Sequence, residues 1–260
     1  MFAIVIGHIL AVAIGISLGL IGGGGSILAV PILRYVMGLD PKVAIAMSLG
    51  IVGTVSLIGV IPHWRQGNVN LKTAIIFTPP AMLGSYLGAR LTDLPFITET
   101  FQLICFGVVM LIAGIFMIRK DNKNTIVKDL YFPNKYEKQK HKYSWLAIPA
   151  EGLGVGILTG FVGVGGGFLI IPALVLLGGI PMKQAIGTSL AIIVFKSATG
   201  FLGYFDRVNL DWNLMISFTI AASLGTIYGA YLTRFVNSKQ LGKLFGYFVF
   251  AVAIFVLIQR

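Results

Sequence analysis

Shifted by 141 residues, the sequence lies on itself without a gap from Gly15 to Arg119, with 32 identities in 105 pairs. The matches include residues that compositional bias does not readily pair: Pro31 with Pro172, Asn68 with Asn209, Ser48-Leu49 with Ser189-Leu190, and Ser56 with Ser197. Gly22, Gly24 and Gly25 fall on Gly163, Gly165 and Gly166, and Gly84 and Gly88 fall on Gly225 and Gly229. A fold for this chain must therefore build one unit twice. The duplication divides the chain into an N-terminal repeat over 1–118, a linker over 119–145 and a C-terminal repeat over 146–260.

The repeated unit is apolar. Runs at 2–21, 43–62, 73–91, 101–118, 146–164, 185–205, 213–232 and 244–258 carry few or no charges. Each approaches the roughly 20 residues that cross hydrocarbon as a helix. Only 11% of the residues are charged, against about 25% in an ordinary soluble domain. A soluble core of this size could not hide so much apolar surface. In lipid the backbone must satisfy its own hydrogen bonds, so the runs are expected to be helices and the chain an all-α polytopic membrane protein. The first run has no Lys or Arg before it and is too long for the apolar core of a secretory signal, so it is expected to stay as the first membrane element.

The net charge of +11 raises nucleic acid as a partner, but eight of the 20 Lys and Arg lie between Arg119 and Lys142. Such clustering in one polar stretch marks a cytoplasmic loop, which places the chain as a multi-pass protein of the cell (plasma or inner) membrane with its central loop inside. The partners expected are the lipid bilayer and a small anion, with no nucleic acid; self-association stays open. Cys105 is the single cysteine and lies in an apolar run, so neither a disulfide framework nor a thiolate metal site is available. His8 and His63 have no second ligand at metal-binding spacing. Neither a zincin, a nucleophile-elbow nor a nucleotide-binding motif occurs. No catalytic residue, cofactor or metal is therefore assigned, and the chain is not read as an enzyme. Active transport would have to draw on a proton or ion gradient, or on a separate partner.

Parity sets the topology. After each glycine cluster a short apolar piece follows, at 27–37 or 168–179, about half a membrane long. If it and the preceding run both cross, each repeat has five crossings; if they form a re-entrant pair, each has three. Both counts are odd and invert one repeat relative to the other. A single kinked crossing would instead make them parallel. With the linker inside, the inverted arrangement puts 14 of the 20 Lys and Arg on the inside and the parallel one 12, which favours inversion. Inverted repeats with glycine-broken or re-entrant helices near the midplane are the architecture of many secondary transporters.

The glycine clusters are the candidate binding site. Gly22, Gly23, Gly24 and Gly25 precede Ser26, and Gly163, Gly165, Gly166 and Gly167 stand at the matching place in the second repeat. Consecutive glycines interrupt a helix, each at about 1 kcal/mol relative to Ala. Ser26 is a candidate N-cap for the short helix that follows. The first N–H groups of such a helix make an anion site. Close helix packing is the competing role for glycine in membranes, and it is the reading preferred for Gly84, Gly88, Gly225 and Gly229. Pro31 and Pro172 are expected to break the short helices structurally, each freeing a carbonyl that suits a cation or donor better than an anion.

Lys196 is the one Lys or Arg deep inside an apolar run; intramembrane cations are costly and usually functional. It shares a helix face with Ser189, seven residues earlier, and its counterpart is Val55, so a site that uses it is asymmetric. Ser48 and Ser189, matched by the repeat, are candidate cavity-lining hydroxyls, although a hydroxyl in a membrane helix often bonds its own backbone. Glu151 reads as an interface acid ahead of a proton relay.

The segments GLIGGGGSILAVPIL and GFVGVGGGFLIIPAL, in a two-repeat membrane chain with a basic middle loop, resemble the TauE/SafE sulfite exporter family of membrane permeases. The resemblance covers nearly all of the chain outside the linker. It implies an inner-membrane permease for sulfite, thiosulfate or an organosulfonate, without fixing which. Val164 stands where the first cluster has Gly23, so the two half-sites need not be equivalent. A cation or metal permease using freed carbonyls is disfavoured by the lack of an intramembrane carboxylate cluster. The alternatives from another class are a channel, or a membrane accessory protein that hands an anion to a partner enzyme.

Overall fold

The computed structural model describes residues 2–91, 99–128, 144–162, 167–204 and 208–258. Among them are ten α-helices and no strand: α1 (Phe2–Ile21), α2 (Gly24–Pro31), α3 (Pro41–Arg65), α4 (Leu71–Leu91), α5 (Glu99–Lys128), α6 (Ser144–Val162), α7 (Gly167–Pro172), α8 (Met182–Tyr204), α9 (Trp212–Leu232) and α10 (Ser238–Ile258). Among the described residues four helices, α1, α3, α8 and α9, are long and apolar enough to cross a membrane. The protein is thus an all-α, multi-pass membrane protein.

The short helices do not stop at their prolines. Pro31 and Pro172 keep helical backbone angles, and each is followed by a π-helical turn, Ile32–Val36 and Ala173–Leu177. A proline has no N–H to donate, so the ladder loses a rung there. The winding then loosens to the wider register: Met37 N donates to Ile32 O at 3.1 Å, and Gly178 N to Ala173 O at 3.0 Å. The α1–α2 pair is a hairpin. Gly25 lies against the carbonyl of Ile14 and the side chain of Leu18, while Gly7, near the start of α1, lies against Met37 beyond the π turn.

The repeats interdigitate. The first helix of each packs along the fourth helix of the other, α1 on α9 and α6 on α4, while α3 packs on α8 and α5 on α10. Glycine makes the first two seams close. Methyl groups at Gly15 and Gly19 would overlap the backbone of α9 at Ala222 and Thr226; methyl groups at Gly156 and Gly160 would overlap α4 at Ala81 and Ser85. Contact positions rise together along both seams, so those helices are parallel. Across α3 and α8 they run oppositely, from Leu49 beside Gly200 to Gly59 beside Leu190, so these counterparts are antiparallel. Gly84, Gly88, Gly225 and Gly229 also press on backbone, against α6 or α1, and serve close packing.

Matched residues take matched environments. Phe77 and Phe218 are fully buried counterparts, and Leu83 and Leu224 are both 64% exposed. Exposed leucine at that level is what a lipid-facing surface requires. One end of the bundle collects the C-terminal ends of α3 and α9 and the N-terminal ends of α4 and α8. There Gln66 Nε2 donates to Ala230 O at 3.0 Å and Asn70 N to Thr188 Oγ1 at 2.9 Å. Arg65, Lys72, Lys183 and Arg234 flank those same helix ends.

Candidate functional site

The first glycine cluster turns the chain. Gly22 closes α1, its N–H bonded to Leu18 O at 2.8 Å, and then takes φ +80°. A side chain there would be strained by its backbone and crowded, since a methyl would lie 2.6 Å from Ile171 Cδ1 and 2.8 Å from Ser189 Oγ. The chain re-enters helix at Gly24, with Gly23 as the preceding residue. Ser26 is therefore inside the first turn of α2 and is not the N-cap. Its Oγ donates to Gly23 O at 2.6 Å instead of accepting an amide. The physical reason is local: four glycines let helical angles begin two residues before Ser26, so its hydroxyl finds the carbonyl three residues back.

Of the second cluster, Gly163, Gly165 and Gly166 lie outside the described residues. Gly167 opens α7 and meets the first cluster directly. A methyl on Gly23 would overlap the Gly167 carbonyl, and a methyl on Gly167 would lie 2.9 Å from Ser26 Oγ and 2.7 Å from Ile193 Cδ1. The starts of the two short helices thus abut in the interior, where Gly22, Gly23, Gly24, Gly25, Ser26 and Gly167 are all buried. The first amides of a helix have no acceptor within it, and such amides favour negative charge.

Ser189 lines this junction through its proximity to Gly22. Its hydroxyl donates to Ile186 O at 2.8 Å, and Ser48, its counterpart, donates to Ile45 O at the same distance. Each keeps its oxygen lone pairs for a further donor. Lys196 points elsewhere. Its Nζ donates to Thr159 Oγ1 at 3.0 Å, and that oxygen also donates to Gly156 O at 3.0 Å and lies 3.3 Å from Ser85 Oγ. Lys196 therefore ties α8 to α6 and α4, beside the helix that leads into the second cluster, and not to α2.

Three polar groups have no part in the binding site expected from the sequence. Ser17 Oγ, buried and without a hydrogen-bond partner, would be 3.3 Å from a methyl on Gly24. Thr159 is 3% exposed and holds Lys196. His63 is fully buried, with Nε2 2.8 Å from Gly19 O. Their repeat counterparts are Leu158, Leu18 and Tyr204, so a search for matched polar positions passes over each. Glu151 is half-buried on α6, with Oε2 unpartnered and close to the turn at Gly178.

Comparison with known proteins follows the same lines. The family model described as "Sulfite exporter TauE/SafE" matches residues 8–256. A "Probable membrane transporter protein" of Xylella fastidiosa (strain 9a5c) is 35% identical over 247 residues, covering 94% of this chain and 91% of the relative. The "Probable membrane transporter protein YunE" of Bacillus subtilis (strain 168) is 28% identical over 90% of this chain and 91% of its own. YdhB of the same organism, with the same description, is 26% identical over 88% of this chain and 89% of its own. No solved structure matches.

Proposed function

The chain belongs to the TauE/SafE sulfite exporter family, and from that premise we propose that this membrane transporter is a secondary permease for a small sulfur-containing anion: sulfite, thiosulfate or an organosulfonate. The observation that carries the proposal is the abutment of the two glycine-started helices, Gly23 against Gly167. Moving an oxyanion through hydrocarbon requires a replacement for its water. Amides at Gly24, Gly25 and Gly167 supply donors without a fixed counter-charge that would trap the ion, and in this reading Ser26, Ser48 and Ser189 join them by rotating their hydroxyls from the backbone carbonyls onto the anion. Gly163, Gly165 and Gly166 complete the second half-site in this reading, and Lys196 adds a cation on the α6 side that raises local anion concentration.

The proposed transporter sits in the plasma or inner membrane with the 119–145 linker cytoplasmic. Its repeats are inverted, an arrangement supported by the antiparallel pairing of α3 with α8 and by the cations gathered at one end of the bundle. The pure protein in proteoliposomes tests the function. Saturable uptake of labelled sulfite, thiosulfate or a small sulfonate, with sulfate as the comparison anion, is the expected result. Absence of exchange for every sulfur anion with folded protein would overturn it. Linear, voltage-driven flux would identify a channel.

A further inference from the structure

His63 is used by nothing above, yet it occupies a demanding position. It is fully buried near the end of α3. Its Nε2 meets Gly19 O at 2.8 Å, one turn before the Gly22 bend. A backbone carbonyl only accepts, so Nε2 carries the hydrogen, and Nδ1 of the neutral ring is a lone-pair acceptor. Nδ1 has no partner. A buried acceptor left without a partner forfeits its hydration, so the group calls for a donor that arrives from elsewhere.

Helix α8 joins this ring to the glycine junction. A methyl on Gly22 would lie 3.4 Å from Ile186 Cα, and one on Gly187, the next residue, would lie 3.0 Å from His63 Cβ. Imidazole and bend therefore flank adjacent residues of one helix. The charges around the ring matter as much. Helices α1, α3, α8 and α9 contain no Asp or Glu. The ionisable groups of α3 are Lys42 at its far end and Arg65; α8 brings Lys183 and Lys196; Arg234 follows α9; and the 66–70 segment is uncharged. In α1 the only one is His8, which bonds Ile4 O and Ser217 Oγ towards the opposite end. Among the described residues of these helices, an imidazolium at this place would have cations for company and no acid to neutralise it.

We propose that His63 Nδ1 is the proton-binding site that couples anion movement to a proton, the anion serving as the missing counter-charge. The inference rests on the anion-permease reading. Nδ1 accepts a proton while Nε2–H stays on Gly19 O, so the bend keeps its anchor. The positive ring favours an anion at Gly22–Ser26, and the anion favours protonation by the same factor, because linkage is reciprocal. Release on the far side returns the proton and restores the neutral ring. The coupling ion is thus a proton travelling with the anion.

The test uses the full chain in proteoliposomes, with labelled sulfite and thiosulfate as probes. Exchange at equal pH on both sides establishes that the wild-type protein carries the probe; its absence defeats the permease reading, not the coupling. A pH gradient, acid on the side of entry, is then imposed. Wild-type protein accumulates the exchanged anion against its gradient. His63→Gln, whose amide can still donate to Gly19 O, loses about tenfold or more of that driven uptake while exchange falls far less, since Gln does not titrate. His8→Gln keeps the driven uptake. Equal gradient response in His63→Gln and wild type overturns the proposal. Should His63→Gln not fold, the double variant H8Q/H141Q, which leaves His63 the one histidine, decides the matter in detergent. Addition of the exchanged anion, brought to the sample's pH and read against the same addition without protein, takes up protons from a weakly buffered solution between about pH 6 and 8, and no net uptake overturns the proposal.

Discussion

Gly23, the residue before α2, and Gly167, the first of α7, lie backbone to backbone, close enough that a methyl on Gly23 would overlap the carbonyl of Gly167. Neither backbone can step aside without moving a helix start. Gly23→Ala is therefore expected to lower stability by about 1–3 kcal/mol through overpacking and to abolish anion exchange, because the helix ends that form the site are pushed apart. Thermal unfolding in detergent beside exchange in proteoliposomes checks both. Wild-type exchange in Gly23→Ala would show that this abutment is not where the anion passes.

Lys196 separates holding from attracting. Thr159→Val removes the described partner of its ammonium, a hydrogen bond to charge of about 1.5–3 kcal/mol, and should lower the melting temperature while leaving the cation in place. Lys196→Met keeps the packed stem and removes the charge. If the cation draws the anion inward, Lys196→Met raises KM for the anion roughly tenfold, and Thr159→Val raises it far less. Equal transport defects in both variants, tracking stability alone, would reduce Lys196 to a strut between α8, α6 and α4.

Much of this molecule is legible in its sequence because lipid leaves the backbone few choices. The helices follow from apolar length, and the bends from runs of glycine that no helix propagates well. The placement of individual side chains is less so. Ser26 has the identity of an N-cap, but the glycines before it let the helix begin at Gly24, which moves it into the first turn. Lys196 shares a face with Ser189 on α8, yet a long stem reaches whichever neighbour offers an oxygen, and that neighbour is Thr159 on α6. Repeat symmetry points to residues that match, whereas Ser17, Thr159 and His63 each face an apolar or aromatic counterpart. The interdigitation of α1 with α9 and α6 with α4 has no local signature either, since a GxxxG-like spacing names a close contact without naming its partner.

The proposed inverted topology makes its own prediction. Asp40 and Asn209 precede α3 and α9, Lys72 starts α4, and Asn237 precedes α10; all four positions are exposed. In a Cys105→Ser background, single cysteines at 40 and 209 should react with a membrane-impermeant thiol reagent applied to the outside of intact cells. Cysteines at 72 and 237 should react only after the membrane is opened. Labelling of 40 and 237 from the same side would contradict inversion.

The parallel seam of α6 on α4 supplies a contrast within one helical turn. Gly152 and Gly156 press on the backbone of Phe77 and Ala81, whereas a methyl on Gly154 would have nothing within 4 Å. Spacing alone cannot distinguish these three glycines; the direction each faces does. Gly156→Ala must spread two helices that carry Thr159 and Ser85, and with them the anchor of Lys196. It is expected to cost about 1–3 kcal/mol and to slow anion exchange through that displacement. Gly154→Ala adds its methyl towards the lipid side and should leave stability unchanged or raise it by up to about 1 kcal/mol, the helix preference of Ala over Gly. The two variants have the same composition, so any difference between their melting temperatures in one detergent reads the seam directly. Equal melting temperatures would mean that α6 and α4 are not in backbone contact there.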